Sequence, residues 1–490
     1  MGRRPRVALQ TLPARRTHRL STADSARRTT VPPGAHASMS ACRSRGLLLS
    51  LVPGPPVLLL VAASLIGLVP LLHPKPVAAG PADLEKLTEG VLERATQDRR
   101  WLHQNAELSL REFQTQTWLR ETLAAIPGVQ LLDGNWGTGV VALLEGARPR
   151  PLVAWRTDMD GLPITETTGL DFACTRSDSL SNGTGTGVMH ACGHDMHMAI
   201  AVGMLRVLSE VRAELPGSVL FIGQPAEEIG AGAAMLLEAG LFDGDRRPDC
   251  ALALHVHPTI PFGQVGSCPG PSTANVDTFV LNVLGRGGHG AYPHESIDPV
   301  SLAAQMVLAF ESIVSREMDV NHPSVISVGR IEGGSKSNVI PDQVTLEATV
   351  RSRDEETRQR LREKVERTVK GLATARGAPA PELEYQFGTP AGFNEPELVD
   401  ACRAVFRRVI GERNEILYAP PMGGEDFAFY GKQVPAFQFR LGVGRTERTM
   451  SLHRADFDPD ERAIGLGIQL ATELIWEQLE SVRWRPESPR

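Results

Sequence analysis

Eight consecutive residues, His190-Ala191-Cys192-Gly193-His194-Asp195-Met196-His197, hold three histidines, a cysteine and an aspartate. This is a dense set of soft and borderline metal ligands. An apolar helical pattern follows at once (Ala199, Val202, Leu205, Val207, Leu208, Val211), so the cluster lies where a loop enters a helix. Unpaired backbone N–H groups and the positive end of the helix dipole there favour a thiolate and a carboxylate. Cys192 and His194 flank a glycine, so both can turn toward one centre in a loop, though hardly on a regular helix.

Further candidates fall where predicted strands end. Arg156-Thr157-Asp158-Met159-Asp160 follows the apolar run Leu152–Trp155, Gln224–Glu228 follows Val219–Ile222, and His255-Val256-His257 closes Ala251–Leu254. In open parallel sheets, ligands bind beyond the carboxyl ends of the strands. Leu452-His453 comes late in the chain, after the Gly-rich Gly423-Gly424-Glu425-Asp426. Taken singly, each has a plain structural reading: a turn cap for Asp158 and Asp160, a solvated pair for Glu227-Glu228, a surface histidine for His453. His255 and His257 alternate on a strand, so they face opposite sides and at most one is a ligand. The argument rests on their joint occurrence.

The elements that must position these groups read as two patterns. Helical spacing over Leu84–Ala95 and near Glu112–Ala125 precedes strands at Val140–Leu144, Leu152–Trp155, Val219–Ile222 and Ala251–Leu254. Helices sit after Asp195 and near Gly232–Glu238. Strands alternating with helices predict an α/β domain with a largely parallel sheet. After Pro271 the order becomes strand Val276–Leu284, helix Pro299–Ser315, strands Val325–Ile331 and Val344–Val350, helix Glu355–Arg376 and strand Leu383–Phe387. This is the β-α-β-β-α-β order of a ferredoxin-like unit. Signals of the first type return at Glu395–Val409. The chain thus divides into residues 1–79, a catalytic domain in two parts (80–271 and 389–490), and an inserted domain, 272–388.

The 490 residues are 42% hydrophobic and 22% charged, ordinary for a globular enzyme. Residues 1–79 carry 11 of the 51 Lys and Arg against one acid, Asp24, leaving 40 basic and 56 acidic residues in the rest, about −16. An acidic body without a basic, aromatic-interleaved stripe excludes a nucleic-acid partner. Six scattered cysteines do not make a disulfide scaffold, and the sequence does not pair them.

Residues 1–46 are rich in Arg, Ser, Thr and Pro and read as disordered, or as an upstream extension with translation starting at Met39. Arg43 and Arg45 then precede the apolar Gly46–Leu72, broken by Pro53, Pro55 and Pro56; its longest stretch beyond them, Val57–Leu72, has 16 residues. Small residues at Val77-Ala78-Ala79 suit a signal peptidase. The expectation is an export signal and a periplasmic or secreted enzyme. An N-terminal anchor, giving membrane contact through this segment alone, is the nearer alternative, and a cytoplasmic chain the further one.

These motifs together resemble the metal-dependent aminoacylase and carboxypeptidase family, in the branch of hippurate hydrolases and indole-acetyl-amino-acid hydrolases. The resemblance spans roughly residues 82–480. It is carried by His103 with Glu107–Ser109, Asp158–Pro163, His190–His197, Gln224–Glu228, His255, Gly287–His289, Ser337–Pro341, Gly424–Phe427 and Leu452-His453. It implies that Cys192, His194, Glu228, His255 and His453 hold two divalent ions (Zn, Mn, Co or Ni) and that Glu227 is the general base acting on a metal-activated water. It further implies that Asp160 orients a ligand imidazole and that His289, reaching across a dimer, steadies the oxyanion. Asn338 and Arg351 would hold the substrate's carboxylate, and the inserted domain would be the lid and the homodimer contact. Asp158 stands where the wider family has the histidine of His-x-Asp, and Cys192 replaces its bridging Asp; this branch has that substitution as a rule. The expected function is hydrolysis of N-acyl amino acids. The alternatives are an exported metallo-carboxypeptidase or dipeptidase, and an inactive relative that binds acylated ligands.

Overall fold

The computed structural model describes residues 84–481 except 181, 446 and 447. The expected export signal or anchor lies outside the described residues. Among the described residues no helix is long and apolar enough to cross a membrane.

Runs of Val, Leu, Ile, Phe and Ala form an eight-stranded sheet. Its spatial order is Val129–Leu131, Val140–Leu144, Ser218–Gln224, Leu152–Asp158, Cys250–Pro261, Ala436–Gly444, Val265–Ser267 and Glu415–Leu417. The four strands from Ser218–Gln224 to Ala436–Gly444 are mutually parallel. Every residue of Leu152–Asp158 and of Ser218–Gln224 is buried, as a sheet covered on both faces requires. Alternation assigns the faces. Val153 and Trp155 pack on one side with the helices Leu84–Gln104, His194–Glu210 and Ala463–Glu480, while Leu152 and Ala154 pack on the other with Gly232–Glu238 and Ala428–Gly431.

The helix His194–Glu210 is apolar almost all round and is the central one. It lies close against Ala463–Glu480 because glycines face isoleucines both ways. A Cβ on Gly203 would stand 2.5 Å from Ile468, and one on Gly467 2.5 Å from Ile200.

Two strands run further than their apolar cores suggested, Leu152–Asp158 past Trp155 and Cys250–Pro261 past Leu254. The extensions contain Arg156, Asp158 and His255, polar side chains buried against one another rather than excluded by the sheet.

A second, antiparallel sheet has the order Ser324–Glu332, Gln343–Ser352, Asn275–Leu284, Glu382–Phe387. The helices Pro299–Ser312 and Glu355–Ala375 cover one face, giving β-α-β-β-α-β along the chain with a core around Phe279, Leu281, Phe310, Leu346 and Val365. Asp298 caps the first helix by accepting from Val300 N–H, and Asp354 caps the second by accepting from Thr357 N–H. The first helix ends at Ser312, short of the expected Ser315, and continues as a wider π turn over Ile313–Glu317.

Candidate metal centre and substrate cleft

The carboxyl ends of the parallel strands, the N-terminus of His194–Glu210 and the loop carrying His453 surround one cleft of about 620 Å³. Gly193, with φ +85°, makes the left-handed turn that starts the helix. A Cβ there would meet Val256 at 2.4 Å. This turn brings Cys192 and His194 to the same centre.

Five side chains expected from the resemblance to hold metal come together. Cys192 Sγ is 3.4 Å from His255 Nε2. His194 Nε2 is 3.8 Å from Glu228 Oε1 and 3.9 Å from Glu227 Oε2. His453 Nε2 is 3.6 Å from Glu228 Oε2. Donor atoms of Cys192, His194 and His255 lie within 4.8 Å of one another, as do those of Cys192, Glu228 and His453.

Hydrogen bonding settles which ring nitrogens are free. His194 Nδ1 donates to the Asp160 carbonyl (2.8 Å) and His255 Nδ1 to that of Val256 (2.8 Å), so each presents an Nε2 lone pair to the centre. His194 Nε2 and Glu228 Oε1 are buried without a hydrogen-bond partner, which a bound cation would supply. Imidazole, carboxylate and thiolate together fit a transition-metal ion. His197 is excluded. Its Nδ1 donates to Asp158 (2.6 Å) and its Nε2 accepts from Val256 N–H (2.9 Å). Asp158 is likewise occupied, by His197 and by Arg156 at 2.7 Å.

Asp160 differs in detail from expectation. Its carbonyl, rather than its carboxylate, takes the closest contact with the imidazole of His194. The carboxylate accepts from Ser109 Oγ (2.6 Å) and from the backbone N–H groups of Glu227 (3.2 Å) and Glu228 (3.0 Å). It therefore fixes the turn that carries both glutamates. That turn begins at Ala226, φ +54°, and His453 has φ +60°. Left-handed backbone at non-glycine residues is strain held by the surroundings.

The electrostatics favour a cation. Burial, then Glu425 and Asp426, push Glu227 well above the usual carboxylate range. Burial raises Glu228 to about 7 despite the pull of His194. Burial and the Glu228 carboxylate also push the Cys192 thiol well up. A divalent ion beside the sulfur would work against this desolvation, because a coordinating thiol is deprotonated.

Arg351 lines the cleft. His289 and Asn338 do not. They sit at a two-stranded antiparallel sheet in which His289 pairs with Val339, and both are exposed. Four residues had no assigned role from sequence. Arg156, fully buried, forks to Asp158, Asp426 (2.9 Å) and Glu425 (3.1 Å). Glu112 accepts from Ala226 N–H (2.9 Å) and Thr138 Oγ1 (2.5 Å). Arg440 and Tyr418 line the cleft beside His257. A charged residue inside an otherwise apolar strand was the available signal for Arg156 and Arg440.

The sequence profile of peptidase family M20/M25/M40 matches residues 154–477. An N-acetylcysteine deacetylase of Bacillus subtilis is 38% identical over 389 residues, covering 79% of this chain and 97% of that one. An N-acetyldiaminopimelate deacetylase of Brevibacillus brevis is 36% identical over 377 residues, covering 77% and 96%. Among solved structures, the Bacillus subtilis YXEP protein, a dinuclear metal binding peptidase from the M20 family, superposes with TM-score 0.69. It is 33% identical and the match covers 80% of this chain and 99% of that one.

Proposed function

The chain belongs to peptidase family M20/M25/M40 and is a metal-dependent hydrolase of linear amides, and from that premise we propose that it cleaves N-acyl amino acids to a carboxylic acid and a free amino acid. The observation that carries this reading is the arrangement around Glu228. Its partnerless Oε1 and that of His194 Nε2 face one centre, Glu227 stands beside them, and Arg351 lies in the same cleft. The deacetylase names of the relatives support the substrate class.

Cys192, His194, Glu228, His255 and His453 would hold two divalent ions. When bound, such ions lower the pKa of water from 15.7 to about 7 and polarise a carbonyl. Glu227 takes the proton of the attacking water and returns it to the leaving amine. Its raised proton affinity, set by burial and by Glu425 and Asp426, suits both halves of that transfer. Asp160 keeps Glu227 and Glu228 on one rigid turn, so that neighbours in sequence serve different tasks. The guanidinium of Arg351 offers a two-pronged contact to the substrate's carboxylate.

Replacing Glu227 by Gln should lower kcat by about 10²–10⁴ with the metal content unchanged. Full activity in that variant would remove Glu227 as the base. Export of the enzyme is supported by the basic and apolar N-terminal pattern; activity confined to the cytoplasmic fraction of the native host would refute it. Pairing of two chains is supported by exposed Val300, Leu308 and Ile331 on the inserted domain; a monomer mass by light scattering would refute it.

A further inference from the structure

We propose that Arg440, with Tyr418 and His257, forms a second anion subsite in the cleft, so that the substrate carries a carboxylate in addition to the one held by Arg351. This rests on the amidohydrolase reading above and specifies its substrate class: N-acyl amino acids with two negative charges.

The strand Ala436–Gly444 places Arg440 opposite His255 on one side and Gly266 on the other. Gly266 leaves room there: a Cβ would lie 3.2 Å from Tyr418 Cβ and 3.4 Å from Arg440 Cβ. The Arg440 guanidinium is 6.0 Å from the centroid of the Tyr418 ring. The Tyr418 hydroxyl is 3.1 Å from His257 Nε2, and Thr259 Oγ1 is 3.0 Å from His257 Nδ1, so the hydroxyl is held in place. Arg440, Tyr418 and His257 all line the cleft, together with Arg351.

Both arginines are half-buried, and among the described residues neither guanidinium makes an ion pair or a hydrogen bond. Of the carboxylates that line the cleft, Glu227 and Glu228 face the candidate metal centre, and Glu425 and Asp426 are committed elsewhere. Glu425 takes Arg156 and the side chain of Gln438 (2.7 Å). Asp426 takes Arg156, Gln224 (2.7 Å) and Ala233 N–H (3.1 Å). Asp277, the acid closest in effect to Arg351, is taken by Arg358 at 2.6 Å. Withdrawing a cation from water without a counter-charge is costly. Two such cations in one cleft imply that the counter-charges arrive with the ligand.

The second carboxylate can belong to the amino acid or to the acyl group, and paired substrates separate the two. On the metal-loaded protein, kcat/KM is compared for N-acetyl-L-glutamate against N-acetyl-L-glutamine, and for N-succinyl-L-alanine against N-butyryl-L-alanine. The wild type should favour the charged member at least tenfold in one pair, and that pair locates the subsite relative to the scissile bond. Arg440→Gln should lower this ratio about tenfold, chiefly through KM, as expected for a contact made equally in ground and transition states. Arg440→Lys should recover part of it. A ratio unchanged by Arg440→Gln, or no charged preference in either pair, overturns the proposal.

Calorimetric titration of the same protein with the products L-glutamate against L-glutamine, and succinate against butyrate, decides the matter without hydrolysis. The diacid of one pair should bind tighter than its neutral-ended counterpart and lose about tenfold in Arg440→Gln. Equal binding, or no loss in the variant, overturns the subsite. Failure to cleave any N-acyl amino acid would instead sink the amidohydrolase reading and leave the titration to judge Arg440.

Discussion

The carboxylate of Glu112 accepts a hydrogen bond at 2.9 Å from the backbone N–H of Ala226, the residue whose left-handed φ of +54° aims the next one, Glu227, into the cleft. A non-glycine residue in that conformation costs about 1–2 kcal/mol. Glu112 offsets this from one side, and Asp160 takes the next two N–H groups from the other. Three consecutive backbone donors are thus held by two carboxylates, neither of which needs to touch substrate.

If this clamp positions the base, Glu112→Ala should lower kcat about tenfold, the equivalent of the ~1–1.5 kcal/mol expected for a lost hydrogen bond. KM and metal content should stay close to those of the wild type. Steady-state kinetics with metal analysis checks this; an unchanged kcat would show that the turn holds itself.

Glu112 also predicts a pH dependence of stability. Burial, reinforced by the Asp160 charge, raises its pKa from 4.5 to about 7. Between those values the folded state keeps a proton that the unfolded chain releases. The contribution is therefore fully present below about pH 4.5 and is lost as pH rises through 7. Urea denaturation at pH 5 and pH 8 should show Glu112→Gln losing less stability over this interval than the wild type, by up to about 3 kcal/mol. Equal losses in the two proteins would contradict the assignment.

The fully buried Arg156 is the counter-charge for Asp158, Glu425 and Asp426. Arg156→Met would leave buried carboxylates unpaired, a defect worth about 3–5 kcal/mol. Calorimetry should find a markedly lower Tm. Lysine is a poor replacement, because one ammonium cannot reproduce the fork to three carboxylates and Gln224. A Tm unaffected by Arg156→Met would mean that the acids are neutral in the folded protein.

What could be read in the sequence follows from the range of each interaction. The parallel sheet was legible because its strands are unbroken apolar runs, and the ligand residues because they gather where those runs end. Glu228 and His255 are of this kind, while Cys192 and His194 were legible from their density at the start of an apolar helix. The partners that hold them were not legible. Arg156 meets Asp426 across 270 positions, and Glu112 meets Ala226 across 114; nothing local in either segment names the other.

The most direct test is hydrolysis of a panel of N-acetyl and N-succinyl amino acids and dipeptides by the purified protein, before and after chelation, with Zn, Mn, Co or Ni restored one at a time. The account predicts cleavage of N-acyl amino acids ahead of dipeptides, lost on chelation and recovered with at least one of the metals. Cleavage that persists in metal-stripped protein, or no cleavage despite two bound ions per chain, would contradict it.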